Sequence, residues 1–150
     1  MRKIAVWLLA LVVVAGIARF FFLSNTAAPT APPVSEQPSD MQSAAESAEV
    51  IAENGAFGPQ TVTVRKGGSV AWINKGTAPI WPASAMHPTH TVYPGSDIGK
   101  CGTAEKDTIF DACRGIPAGQ SYTFTFSNAG TWRYHNHLNP SMTGSVIVKE

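Results

Sequence analysis

Residues 121–135, "SYTFTFSNAGTWRYH", decide the fold. Tyr122, Phe124 and Phe126 alternate with Thr123 and Thr125, and successive side chains of an extended chain point to opposite faces, so the three aromatics share one face. Asn128 to Gly130 is turn chemistry, and after it Trp132 and Tyr134 resume the aromatic face. Two strands therefore turn their aromatic sides toward one core. The same alternation with β-branched and aromatic residues recurs in "QTVTVRK" (60–66), "SVAWINK" (69–75), "GTWRYHNH" (130–137) and "GSVIVKE" (144–150). Each is bounded by Gly, Pro or Asn, and no stretch carries a helical period. The pattern predicts an all-β domain, and short strands with two faces to bury predict a two-sheet β-sandwich.

One segment departs from that rhythm. Gly76 to Ala118 reads mostly as loop, and a loop of this length in a compact domain is usually functional or stapled. It holds Cys101 and Cys113, the two cysteines of the chain. In an oxidising compartment such a pair is most simply a disulfide closing "CGTAEKDTIFDAC", the rival being a thiolate metal ligand.

Upstream the composition changes twice. Met1 to Leu23, "MRKIAVWLLALVVVAGIARFFFL", has two basic residues and then an apolar run broken by Arg19. Residues 1–23 are expected to be a membrane-targeting segment, either a signal peptide or an N-terminal anchor with its basic end inside. Residues 24–48 are rich in Ala, Pro, Ser, Thr, Glu and Gln. They cannot bury enough apolar surface to offset their ordering entropy, so a flexible linker is expected there, with the folded domain over 49–150. The protein is thus expected to work outside the cytoplasm, in the periplasm or at the cell exterior, secreted or membrane-anchored. A formal net charge of +1 and no basic run after Lys3 exclude nucleic acid as a partner.

The four histidines of the chain fall in two tight pairs, His87 and His90 in "MHPTH" and His135 and His137 in "RYHNH". Residues i and i+2 of a strand project to one face, so His135 and His137 present two imidazoles side by side. In "HPTH", Pro88 fixes the backbone and a turn brings residues three apart together. Neutral imidazole suits Cu, Zn, Fe and Ni. With no Asp or Glu in either cluster, calcium and magnesium are disfavoured. Met86 and Met142 lie close by in sequence as soft ligands favouring copper, the bland alternative being core packing.

Two segments resemble the cupredoxins. "AFGPQTVTVRKGGSVAWINKGTAPIW" (56–81) is similar to their opening, with a Phe-x-Pro strand, a Val-rich strand, a Gly turn and a Trp-x-Asn strand. "GTWRYHNHLNPSMTGSVIV" (130–148) resembles the closing motif of plastocyanin and amicyanin. The resemblance covers nearly all of 49–150. It implies a Greek-key two-sheet sandwich and copper binding, usually for one-electron transfer. Laid without gaps on an amicyanin-like ending, the ligand Cys falls on Asn136 and the downstream ligand His on Asn139, and the axial Met keeps its counterpart in Met142. His90, followed closely by Val92, resembles the first ligand His, and His87 is additional. "RYHNH" also resembles the Tyr-His-Ser-His segment of multicopper oxidases, where two histidines of one strand hold copper.

The expected site is therefore histidine-only copper ligation by His87, His90, His135 and His137, with Met142 as an additional candidate and copper ahead of zinc. The expected task is copper capture and hand-over, or electron transfer with a redox or copper-transfer protein. Two alternatives are a copper-dependent oxidase-like enzyme and a metal-free β-sandwich used for recognition.

Overall fold

The structure is a computed structural model, and it describes residues 44–150. The expected membrane-targeting segment 1–23 and the linker up to residue 43 lie outside the described residues. Among the described residues no helix is long and apolar enough to cross a membrane.

Among the described residues, seven strands carry the fold: β1 (Ala45–Glu53), β2 (Ala56–Gly58), β3 (Thr61–Asn74), β4 (Pro82–Ser84), β5 (Ser121–Thr125), β6 (Gly130–Asn136) and β7 (Asn139–Lys149). Two short 3-10 turns, Ile98–Gly102 and Lys106–Thr108, interrupt the long loop. The fold is all-β, as the alternation predicts.

Two of the expected strands are one. "QTVTVRK" and "SVAWINK" merge into the 14 residues of β3, which bends at Gly67 and Gly68. A Cβ on Gly68 would lie 2.8 Å from the Arg65 carbonyl oxygen and 2.9 Å from that of Glu46, so only glycine allows the bend. Val62, Val64, Val70 and Trp72 are buried on both sides of it. The bend lets one strand serve two layers: Thr61 to Arg65 pair parallel with β7, and Ser69 to Ile73 pair antiparallel with β5. Hydrogen bonding consequently runs on as one sheet of order β2-β1-β3-β7-β6-β4, with β5 attached to β3. Its two arms pack face to face as a sandwich. Trp72 from one arm meets Tyr134 from the other edge-on at 5.2 Å between ring centroids, in a core that also holds Val50, Phe110, Phe126, Val146 and Val148.

The start of the domain needs correction. β1 begins at Ala45, four residues inside the stretch expected as linker, and runs parallel to β3 with Ser47 opposite Ser69 and Ala48 opposite Val70. Ala45, Glu46 and Ser47 are exposed, so no apolar alternation marks them. What holds them is the ladder, which composition does not reveal.

The long loop is fastened by side chains reaching backbone groups. Ser84 Oγ accepts from Tyr93 N at 2.7 Å, Ser96 Oγ accepts from Phe110 N at 2.8 Å, and Tyr93 Oη accepts from Ser127 N at 3.0 Å. The first two satisfy buried amides that have no ladder partner, and the third ties the loop to Ser127, just beyond β5. Cys101 and Cys113 are joined by a disulfide.

Candidate metal centre

Register builds the site. β4 pairs antiparallel with β6, placing Ala83 opposite His135 and Ser84 opposite Tyr134, and Asp111 forms an isolated bridge opposite Ala83 on the other side. Residues directly opposite share a face, so His135, Ala83 and Asp111 project together. Trp81, two residues before Ala83, falls on that face as well, and its ring lies 4.5 Å from that of His137. The Met86 to His90 turn then folds over. His90 N donates to the Met86 carbonyl at 2.7 Å and Val92 N to that of Ala85 at 2.6 Å. His90 itself sits at φ +60, a left-handed conformation unusual for a side chain of this size.

The result brings both histidine pairs together. One ring nitrogen from each of His87, His90, His135 and His137 lies within 4.8 Å of one from every other. His90 Nε2 and His137 Nδ1 are 3.0 Å apart, and His87 Nδ1 and His135 Nε2 are 3.3 Å apart. His90 and His135 are buried, His137 is half-buried and His87 is exposed. Ligand nitrogens sit about 2.0–2.1 Å from a bound ion, which brings opposite ligands to about 4 Å. The rings already span nearly that distance, so the residues fit a single ion.

Electrostatics favours the form a ligand needs. Burial, with the neighbouring His90, His87 and His137, lowers His135 to a pKa of about 4. Burial, with the neighbouring His90 and His87, lowers His137 too. Both rings are neutral at physiological pH and present lone pairs. Nδ1 of His135 is buried without a hydrogen-bond partner.

Sequence reasoning missed Asp111. It is buried, and its Oδ2 accepts from His90 Nδ1 at 2.5 Å. Its Oδ1 accepts from Trp81 Nε1 and from Cys113 N at 2.7 Å. Burial alone would raise this carboxyl, but the bonds from His90, Trp81 and Cys113 outweigh it and hold the pKa below the ordinary value. Asp111 lies 21 residues from its histidine, and the only local signal was its place two before Cys113.

Asn136 faces away from the imidazoles. Its Oδ1 accepts from Trp81 N at 2.8 Å and Leu138 N at 3.1 Å, and its Nδ2 points at Met142 Sδ, 3.6 Å away. Met142 is packed in the core, on the Asn136 side of β6. Asn136, Asn139 and Met142, the positions matched to the family's Cys, His and Met, line one cavity with Asn74 and Ile80. Met86 is 61% exposed beside His87.

No protein-family model matches the chain. Plastocyanin of Tetradesmus obliquus is 32% identical over 102 residues, which are 65% of this chain and 63% of that protein. The chain thus spans less than two thirds of that relative's length. A purple cupredoxin from Nitrosopumilus maritimus superposes with a TM-score of 0.52 at 18% identity, over 68% of this chain and 99% of the other. A Cu(I) form of an amicyanin variant superposes with 0.53 at 23% identity, over 72% and 87%. The fold is that of the cupredoxins. The chain differs in carrying Asn136 where the resemblance places a cysteine, with its histidines gathered on the opposite face of β6.

Proposed function

We propose that this is an exported copper-binding protein that holds one copper on His87, His90, His135 and His137 and passes on the ion or an electron at the His87 edge. The observation that carries the reading is the convergence of four imidazole nitrogens from two distant segments. A bound copper would supply a one-electron couple. His90 and His135 form the buried floor and exclude water. His137 leans on Trp81, which limits its rotation. His87, exposed beside the exposed Met86, is the side open to a copper-transfer or redox partner.

The cupredoxin likeness supports copper over zinc, and the hydrophobic segment 1–23 supports export and a membrane tether ahead of residues 24–44. Met142 is engaged by Asn136 and is left outside the proposed ligand set. Titrating the full chain with Cu(II) tests the reading: one ion per chain is expected, and it should be retained against a weak chelator and lost in the His90→Ala/His135→Ala double variant. Voltammetry of the loaded protein then separates electron transfer from hand-over. Binding that survives the double variant would refute the site.

A further inference from the structure

Asp111 is a fully committed buried carboxylate at the edge of the imidazole cluster. Its Oδ2 meets His90 Nδ1, and its Oδ1 takes two donors, Trp81 Nε1 and Cys113 N. The bridge to Ala83 and the Cys101–Cys113 disulfide hold its backbone on both sides. Among the described residues it is the one carboxylate that hydrogen-bonds a ring of the cluster. Resting on the copper reading above, we infer that Asp111 is a positioning residue that fixes His90 as the Nδ1–H tautomer and biases the site toward Cu(II) over Cu(I).

Both effects follow from the contacts. A carboxylate can only accept, so His90 must carry its proton on Nδ1, which leaves Nε2 free to face the other rings. Four neutral imidazoles leave the whole ionic charge on the metal. A buried negative charge one ring away attracts a doubly charged ion about twice as strongly as a singly charged one. Asn in place of Asp would keep the shape but reverse the bond. The amide oxygen would take the Trp81 and Cys113 donors and turn its NH2 toward His90 Nδ1. That ring would then accept at Nδ1 and carry its proton on Nε2, where the metal belongs.

The experiment compares full-chain wild type and Asp111→Asn by competition with Cu(II) and Cu(I) chelators, and reads histidine tautomers by 15N NMR on the metal-free protein. Wild type should show His90 protonated at Nδ1. The variant should shift the proton to Nε2 and lose Cu(II) affinity by about 10- to 100-fold. Its Cu(I) affinity should fall at least tenfold less, which raises the reduction potential by about 59 mV or more. Equal losses for the two ions, or His90 protonated at Nε2 in wild type, would overturn the inference. The wild-type tautomer decides the positioning role even if the variant does not fold. Copper binding by wild type with an unchanged ratio in the variant counts against Asp111 alone, whereas no binding by wild type counts against the copper reading.

Discussion

His90 Nε2 and His137 Nδ1 lie 3.0 Å apart although 47 residues of chain separate them. Two imidazole nitrogens at that distance either share a proton or turn both lone pairs toward a cation. If they serve one ion, His90→Ala and His137→Ala should each weaken copper binding by more than the roughly 10- to 100-fold typical of losing an outer partner. The double variant should then cost much less than the sum, since groups serving one site are not additive. Chelator competition on the four proteins measures it, and additive losses would mean two separate weak sites.

Asn136 holds Trp81 N and Leu138 N with one oxygen, on the opposite side of β6 from the imidazoles. The copper-loaded protein should therefore be pale, without the intense band near about 600 nm that thiolate ligation gives. Asn136→Cys should not create that band, because the new sulfur would face Met142. Asn136→Ala should leave the part-buried Trp81 and Leu138 amides without their acceptor and cost about 1 kcal/mol or more in stability, with copper affinity nearly unchanged. A blue Asn136→Cys protein would show that this strand position still faces the metal.

The Cys101–Cys113 bridge closes a loop with a sequence separation of 12, which the chain-entropy estimate makes worth about 3 kcal/mol. The Cys101→Ser/Cys113→Ser double variant should lose about that much in urea unfolding while still binding copper. Complete loss of copper from the folded double variant would point instead to a ligand role for sulfur.

The sandwich was legible because its strands alternate. Tyr122, Phe124, Trp132 and Tyr134 announce one core face without help from any other part of the chain. The pairing of the histidines was legible for the same reason, since parity alone separates His135 and His137 from Asn136. What escaped depends on contacts between distant segments. Ala45 to Ala48 is a strand only because β3 lies beside it, and the single bent β3 needs the close approach of the Glu46 carbonyl to Gly68. Asp111 joins the site through β4, a three-residue strand inside a stretch that reads as loop. A carboxylate in irregular chain carries no period, and its partner His90 is known only once the turn at Met86 has folded over it.

The lowered pKa of His135 makes the metal-free fold sensitive to acid. Its folded value is about 4 against an ordinary 6.5, so between those values the unfolded chain binds a proton that the folded chain refuses. Stability from this residue is therefore complete above about pH 6.5, declines as the pH falls and levels off near pH 4, a loss on the order of 2–3 kcal/mol. His137 is displaced in the same direction and adds to it. Asp111 acts in a separate window: its pKa is lowered from the carboxylate value of 3.8, so its contribution is intact above that value and is lost only below it. Urea unfolding of the metal-free protein at pH 7, 5.5 and 4.5 should show the midpoint falling steadily. The fall should be shallower in His135→Ala, which starts from a lower stability but has no such ring to protonate. Copper should offset the decline at the upper end, since bound rings resist protonation, and release as acid competes for them. A wild-type midpoint that stays flat from pH 7 to 4.5 without metal would mean that His135 is open to water and that the buried floor of the site is not formed.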